Sequence, residues 1–280
     1  MTQRASAAPL EVGVNTMSFM WRSSAREALE TLAREGYRRF EVMAQRPHFD
    51  PMMARGEALA FARFVRDAGL TVETINIPSL DQNLASGTPQ MRDYTVRLFE
   101  RLIEVAETIS ASGVIVVTGR VNPLIAPARQ DLEGWFAESF ERLLPAAQRG
   151  GVRLLLENIP MGVHARADQL ISFADRIDHP LVGICYDIAN AHFIGEDTNA
   201  GLRLVRSRLG IVHLSDTGRQ AWRHDPIGDG GCDFAGFGAT LQGIGYARTS
   251  MLELVCERPV EQIRESHRKI AAWGWVPRHA

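Results

Sequence analysis

The sequence predicts an α/β fold in which eight parallel strands, each followed by a helix, close into a (β/α)8 barrel. Three observations predict this fold. Glycines at the ends of helical stretches are repeatedly followed by short aliphatic runs and then by polar loops. These runs do not alternate polar with apolar residues, which is typical of strands covered on both faces. Amphipathic stretches with a period of about 3.6 residues lie between the runs, so strands and helices alternate along the chain.

Eight aliphatic runs are predicted to be strands. They are Glu11–Asn15, Arg39–Met43, Thr71–Ile77, Val114–Thr118, Arg153–Glu157, Val182–Asp187, Ile211–Ser215 and Ser250–Val255. No glycine-rich dinucleotide-binding turn follows the first run, which favours a closed barrel over an open Rossmann sheet. The chain has 280 residues and no stretch rich in proline and serine that would link two domains. We therefore expect residues 1–280 to form a single domain.

Five stretches between or after the strands show the clearest helical periodicity. They are Ala25–Glu35, Ala58–Ala68, Met91–Ser110, Leu132–Arg149 and Pro259–Trp273. In the third of them, Leu98 and Leu102 belong to one apolar stripe, whereas Glu100 and Glu104 lie on the opposite side. Each stretch can therefore cover a barrel strand with its apolar face and present charges to water.

Composition excludes some classes of protein. The formal net charge of −2 argues against a protein that mainly binds nucleic acid, because such proteins present a basic face. Three cysteines are an odd number without a short pairing motif, so we expect reduced thiols rather than a disulfide framework. Residues Met1 to Leu10 lack the apolar core of a signal peptide, and no apolar run approaches the about 20 residues of a membrane span. We therefore expect a cytoplasmic protein without a membrane partner.

The last four predicted strands each carry one side chain that can bind a metal, at or near the strand's carboxyl end. These side chains are Glu157, Asp187, His213 and Glu253. Singly, each has an ordinary explanation, such as an ion pair, a core histidine or a helix cap. Functional groups of a barrel gather at this end, where three buried carboxylates would repel one another without a cation. The sequence therefore predicts one divalent ion; these oxygen and nitrogen ligands favour Mn²⁺, Mg²⁺ or Co²⁺, with Zn²⁺ as an alternative.

The loop after the seventh strand, residues 216–230, can add cationic groups to this mouth. Arg219, Arg223 and His224 lie there beside a bend rich in proline and glycine, although the arginines could equally be solvated. Five segments of this half of the chain resemble the sugar-phosphate isomerase/epimerase group of the xylose-isomerase-like TIM barrels. They read LLLEN, CYDIANAH, HLSDTGR, RHDPIGDG and LELV, between residues 154 and 255.

The resemblance implies roles for particular residues. It implies that Glu157, Asp187, His213 and Glu253 are the metal ligands. Arg219 then corresponds to an arginine that contacts substrate in the epimerases, and His224 begins the group's HxPxGxG loop. Relatives often have a histidine three residues after the ligand aspartate, where this chain has Asn190; His192 lies two residues further on. We therefore expect Asn190, His192, Arg219 and His224 to contact substrate.

The group also includes endonuclease IV, which uses three zinc ions and further histidines after its third and fourth strands. Here those strands end in Ile77-Pro78-Ser79 and Thr118-Gly119-Arg120, without a histidine. The resemblance therefore implies a site for one metal ion and a small-molecule substrate rather than DNA. It also implies that the protein forms dimers or tetramers.

The proposed chemistry is proton transfer at a carbon next to a carbonyl, through an enediolate that the metal stabilises. Glu157 and Glu253 come from strands three steps apart in the ring, so they can serve as opposed acid and base on a keto-sugar or a related hydroxycarbonyl compound. Two alternatives remain. One is a dehydratase of a keto-cyclitol or dehydroshikimate type, with an acid among His48, His164, His192 and His224. The other is a barrel that binds metal and sugar without turnover.

Overall fold

The computed structural model describes residues 9–277, so most of the segment Met1 to Leu10 lies outside the described residues. The described chain contains nine strands. They are β1 Leu10–Asn15, β2 Arg39–Met43, β3 Thr71–Asn76, β4 Gly113–Val117, β5 Arg153–Glu157, β6 Val182–Asp187, β7 Leu209–Leu214, β8 Thr249–Leu252 and β9 Trp275–Pro277. All eight predicted strands are present, and β9 is an addition to them.

The strands form one parallel sheet that closes on itself. Neighbours follow in the order β2-β3-β4-β5-β6-β7-β8-β1, and β1 also pairs with β2. Val14 of β1 lies opposite Leu252 of β8 and Phe40 of β2, so β1 completes the ring. The short β9 pairs with the first half of β1, where Leu10 lies opposite Trp275. The structure thus confirms the predicted (β/α)8 barrel.

Helices follow the strands along the chain and cover the barrel. They are α1 Ala25–Arg34, α2 Arg55–Asp67, α3 Pro89–Thr108, α4 Arg129–Glu141, α5 Leu144–Gly150, α6 Ala167–Ile177, α7 Ile188–Phe193, α8 Thr198–Val205, α9 Phe234–Gly243 and α10 Pro259–Ala271. A 3-10 turn, Met17–Phe19, follows β1. Within residues 9–277, no helix is both long and apolar enough to cross a membrane.

One predicted helix was wrong in its extent. The stretch Leu132–Arg149 is two helices, because α4 ends at Glu141 and α5 begins at Leu144. Pro145 lies in the first turn of α5. A proline lacks the N–H that a helix interior needs but is tolerated in a first turn, so the chain starts a new helix there.

The hydrophobic core has two parts. The larger part lies between the sheet and the helices and includes Phe136, Phe140 and Phe173, all buried. The smaller part fills the inside of the barrel and consists of Ile115, Leu155, Cys185, Ile211 and Met251. This inner layer closes the barrel beneath the residues at the carboxyl ends of the strands, so polar side chains above it are held away from the opposite end.

Candidate metal centre

The four predicted ligands converge at the carboxyl end of the barrel. Glu157 and Asp187 are the last residues of β5 and β6, His213 is the last but one of β7, and Glu253 directly follows β8. Strand pairing places Asp187 opposite His213, and Glu157 opposite Cys185. Because these strands are consecutive in the ring, four neighbouring positions point into one small space.

Distances show how tight the cluster is. One ligand atom from each of the four residues lies within 4.8 Å of the others. The Nδ1 atom of His213 is 3.1 Å from a carboxylate oxygen of Glu157, 3.1 Å from one of Glu253 and 4.0 Å from Oδ2 of Asp187. All four side chains are buried. The cluster therefore has the size and the donor set of a site for a single cation.

The aspartate provides a test of whether a cation fits. Oδ1 of Asp187 accepts a hydrogen bond from the backbone N–H of Asn190 at 2.7 Å. Oδ2 is buried and has no hydrogen-bond partner in the structure. An orphaned buried carboxylate oxygen is costly, and a cation among the four side chains would satisfy it. The residues present therefore fit a divalent metal ion.

A second set of possible ligands, Glu157, Cys185 and His213, shares two members with the first. Burial raises the pKa of the Cys185 thiol well above its usual value. A thiol must lose its proton to bind a metal strongly, so this set is the weaker one. All three cysteines of the chain are free thiols, as the sequence predicted.

Sequence reasoning missed Glu41, which lies beneath the cluster. This buried β2 residue has a carboxylate oxygen 3.1 Å from Nε2 of His213 and accepts hydrogen bonds from Asn15 and Thr74, each at 2.5 Å. Because a carboxylate only accepts, Nε2 carries a proton and Nδ1 faces the other ligands. The signal was available, since Glu41 is a lone carboxylate in an apolar strand, as Glu157 is.

Two asparagines hold Glu253 in place. The side-chain amides of Asn15 and Asn76 donate to one oxygen of Glu253, at 2.8 Å and 3.2 Å. Its other oxygen is 3.1 Å from Nδ1 of His213 and 3.3 Å from Nδ1 of His224. With both oxygens contacted, the orientation of this carboxylate is fixed by β1, β3 and the loop after β7.

The two glutamates differ in their affinity for a proton. Burial raises the pKa of Glu157 to about 7, although the hydrogen bond and the charge of His213 oppose the rise. Burial also acts to raise the pKa of Glu253, but the charges and hydrogen bonds of His213 and His224 outweigh it and leave that pKa below its usual value. Carboxyl groups whose pKa values are pushed apart are typical of an acid/base pair.

A cavity of about 560 Å³ opens at the cluster. Glu157 and Glu253 line it, together with Asn190, His224 and Arg223. Burial acts to lower the pKa of His224, but the charge of Asp187 and the hydrogen bond with Glu253 raise it to about 9. The predicted contacts Asn190 and His224 thus lie where a bound small molecule would meet the cluster.

The loop that carries His224 is held by one buried carboxylate. Asp216 accepts hydrogen bonds from the backbone N–H groups of Thr217, Gly228 and Cys232, at 2.8–3.0 Å. Its backbone also pairs with that of Asp225, next to His224. A Cβ atom at Gly230 would lie 2.4 Å from a carboxylate oxygen of Asp216, so this position accepts only glycine.

The remaining residues that the sequence predicted to contact substrate or to act as acids do not line the cavity. Arg219 is exposed, its Nη1 atom faces Gly195, and neither it nor His192 lines the cavity. His48 is buried between Thr16 and the carbonyl of Ser23, while His164 packs against Phe136 and Phe173. Of the four histidines considered as acids, His224 is the one that lines the cavity. Contacts of Arg219 and His192 with substrate stay predictions.

Comparison with known proteins identifies the family to which this barrel belongs. An L-ribulose-5-phosphate 3-epimerase of Salmonella paratyphi C is 21% identical over 217 residues, 76% of this chain and 76% of the relative. A probable endonuclease 4 of Natranaerobius thermophilus is 29% identical over 178 residues, 57% of this chain and 61% of that protein. The crystal structure of a D-tagatose 3-epimerase-like protein matches with a TM-score of 0.82 at 20% identity, over 94% of this chain and 97% of the other. A family model described as a xylose isomerase-like TIM barrel matches residues 29–273. Because that match covers most of the chain, the protein belongs to the family of xylose isomerase-like TIM barrels.

Proposed function

We propose that this protein is a divalent-metal-dependent isomerase or epimerase that moves a proton at a carbon next to a carbonyl, in a keto-sugar or a related hydroxycarbonyl compound. The observation that carries the proposal is the orphaned Oδ2 atom of Asp187, buried beside His213 and two glutamates that open on one cavity. Relatives of this chain include an L-ribulose-5-phosphate 3-epimerase, whose named reaction is of this kind.

Glu157, Asp187, His213 and Glu253 would hold one divalent ion, with Mn²⁺, Mg²⁺ or Co²⁺ favoured and Zn²⁺ as an alternative. When bound, such an ion supplies positive charge that stabilises the negative charge developing on the substrate's carbonyl oxygen. Within residues 9–277 the other possible ligand set overlaps this one, so we propose one metal site, unlike the three-zinc arrangement of endonuclease IV.

Glu157 and Glu253 would carry the proton. They belong to the ends of β5 and β8, three positions apart in an eight-strand ring, and both line the cavity. A substrate lying between them meets a carboxyl group on each side. One carboxylate can take the proton from carbon while the other, protonated, returns one to the neighbouring carbon or to the opposite face.

Asn190 is placed to orient the substrate. Its Oδ1 atom accepts a hydrogen bond from Nε1 of Trp222 at 2.6 Å, and its Nδ2 atom is buried without a partner. Because the indole N–H can only donate, the orientation of the amide is fixed, with Nδ2 left as a free donor. We propose that Nδ2 donates to a hydroxyl or carbonyl oxygen of the substrate.

Replacing Trp222 by phenylalanine tests this role, because it keeps a ring but removes the N–H that fixes the amide. We expect the substrate KM to rise by about 2- to 10-fold, which corresponds to the net free energy of one neutral hydrogen bond. The change in kcat should be smaller. Trp135→Phe is the control. Trp135 lies on α4, where its ring contacts the guanidinium group of Arg92 from α3, and it does not line the cavity. Equal KM values for the two variants would contradict the proposal.

A lyase is the second candidate, and His224 is the observation that favours it. His224 stands at the cavity with its Nδ1 atom 3.3 Å from a carboxylate oxygen of Glu253, and its protonated form can protonate a departing hydroxyl group there. The same proton removal would then end in dehydration of a keto-cyclitol or dehydroshikimate type of compound. The absorbance of a conjugated enone product distinguishes this outcome from epimerisation.

The direct test is metal analysis of the purified protein, followed by a screen for solvent-deuterium incorporation. The screen covers ketoses, keto acids and inososes, with and without phosphate, in the presence of Mn²⁺. We expect about one divalent ion per chain and incorporation of deuterium next to the carbonyl of at least one compound. A protein that binds the metal but exchanges no compound would instead be a binding barrel without turnover.

A further inference from the structure

We propose that the substrate is an uncharged hydroxycarbonyl compound that carries an apolar group, and that it is not a sugar phosphate. The inference rests on the proposed function and names the substrate class for the same site. Two independent features of the cavity carry it. One is the apolar character of much of the cavity lining, and the other is the small number of cationic side chains around the opening.

Apolar side chains line much of the cavity. Met43, Ile77 and Val117 line its inner part and are buried. Val117 lies opposite Glu157 in the pairing of β4 with β5, so an apolar side chain directly neighbours the cluster. A small sugar, with a hydroxyl on nearly every carbon, would leave several of these hydroxyls against side chains that cannot bind them, which is costly.

The rim exposes large apolar side chains to water. Trp21 is 61% exposed, Val255 is 56% exposed and Leu80 is 47% exposed, and all three line the same cavity. A single exposed apolar residue is ordinary, but three that line one opening are typical of a ligand-binding groove. The cavity volume of about 560 Å³ also leaves room beyond a hydroxycarbonyl group.

The charges around the cavity disfavour a phosphate. Among its described lining residues, Arg223 is the single arginine or lysine, and its Nη1 atom is 4.0 Å from a carboxylate oxygen of Asp225. Three carboxylates line the same space, those of Glu157, Asp225 and Glu253. Sites for phosphate gather several cationic or N–H donors. Among the described residues that line this cavity, the candidate cations are Arg223, which faces Asp225, and His224, which contacts Glu253.

Together these features describe a ligand with two different ends. Its hydroxycarbonyl end meets Glu157, Glu253 and Nδ2 of Asn190, and its apolar end lies along Leu80, Trp21 and Val255. An aryl or alkyl group, or the apolar part of a glycoside, has the chemistry of the second end. Burial of that group against the rim would contribute the binding free energy that contacts with phosphate contribute in sites for sugar phosphates.

Three probes that share one hydroxyketone group test the inference: dihydroxyacetone, dihydroxyacetone phosphate and 2-hydroxyacetophenone. Their Kd values are measured by calorimetry on the Mn²⁺-loaded protein, with solvent-deuterium exchange followed in parallel. We expect 2-hydroxyacetophenone to bind at least about tenfold more tightly than dihydroxyacetone, because its ring leaves water. Dihydroxyacetone phosphate should bind no more tightly than dihydroxyacetone.

A matched pair of variants tests whether the preference for the phenyl compound arises at the rim of the cavity. Leu80 and Leu204 are both 47% exposed, but Leu204 lies on α8, outside the cavity lining. We expect Leu80→Ala to reduce the preference for the phenyl compound by about threefold or more, and Leu204→Ala to leave it unchanged. The inference is overturned if the phosphate binds as tightly as the phenyl compound, if no probe binds, or if both variants behave alike.

The two readouts separate this inference from the proposed function. Deuterium exchange without a preference for the phenyl group would support the function and overturn the substrate class. Tight binding of the phenyl compound that depends on Leu80, without exchange of any compound in the wider screen, would support the class of ligand and overturn the catalytic function.

Discussion

Replacing Glu157 or Glu253 by glutamine is expected to reduce solvent-deuterium incorporation into substrate by a factor of about 10² to 10⁴, which is the usual contribution of an acid or base. Glutamine keeps the volume of the side chain and one oxygen that can bind a metal, but it cannot exchange a proton with carbon. Both glutamates line the cavity, so each substitution removes one of the two carboxyl groups that a substrate meets.

Loss of the metal could mimic this effect, so metal content must be measured on the same samples. Rates are compared at saturating Mn²⁺, with the bound metal quantified by mass spectrometry. The control is Glu73→Gln, because Glu73 pairs with Arg39 in a separate cavity and belongs to neither the cluster nor its opening. Exchange that survives in both Glu157→Gln and Glu253→Gln, with the metal bound, would rule out their proposed roles.

The ligand cluster could be predicted because it follows from regular structure. A strand of a parallel barrel has one end at the mouth, so locating β5 to β8 was enough to place Glu157, Asp187, His213 and Glu253 together. Each of these residues interrupts an aliphatic run, and burial of such a residue requires a partner. Local pattern and the topology of the fold therefore sufficed for this part of the site.

The orientation of the ligand side chains depends on contacts between strands that are far apart in sequence. Asn15 bridges Glu41 and Glu253, which lie 212 residues apart in the chain, and it can do so because β1 closes the ring between β2 and β8. Amides in a strand are common, and nothing in the local sequence indicates which partner each one finds. Their roles emerge only when strand register is known.

The sequence predicted that the loop after β7 contributes groups to the site, but it did not predict the conformation of the loop. Its conformation is set by hydrogen bonds from separated backbone groups to Asp216, and these bonds have no sequence period. That arrangement brings Arg223 and His224 to the cavity and leaves Arg219 exposed. Family resemblance identified the loop, whereas the structure determined which of its side chains face the opening.

Adding Mn²⁺ to the metal-free protein is expected to raise its free energy of unfolding. At a free ion concentration about one hundred times Kd, binding to the folded state alone adds about 2.7 kcal/mol. For a chain of this size, that corresponds to an increase of about 5–10 °C in Tm. The physical reason is that the ion replaces the repulsion among three buried carboxylates with attraction, and it gives Oδ2 of Asp187 the partner that it lacks.

The stabilisation by Mn²⁺ should depend on pH with a definite sign. Glu157 has a pKa of about 7 in the cluster, so it carries a proton below that pH, and the ion must displace this proton to bind. Above pH 7 Glu157 no longer opposes binding. Burial acts to lower the pKa of His213, but nearby acidic groups raise it well above its usual value, so its proton must still be displaced there. Metal affinity, and with it the increase in Tm, should therefore fall as the pH is lowered from 7, by up to about tenfold in Kd per pH unit for each proton released.

Two buried aspartates allow a sharper form of this prediction, because substitution by asparagine should act on them with opposite signs. Burial raises the pKa of Asp187, which means that its charge is unfavourable without the ion, so Asp187→Asn should leave the metal-free protein at least as stable as the parent and abolish its response to Mn²⁺. Asp216 has hydrogen bonds to both oxygens, so Asp216→Asn should lower the Tm with and without Mn²⁺ while the response to the ion remains. Thermal unfolding of both variants at pH 7.5 would measure this contrast. If Asp187→Asn destabilised the metal-free protein as Asp216→Asn does, or if it kept a full response to Mn²⁺, Asp187 would be a structural residue and the candidate metal centre would lose its main support.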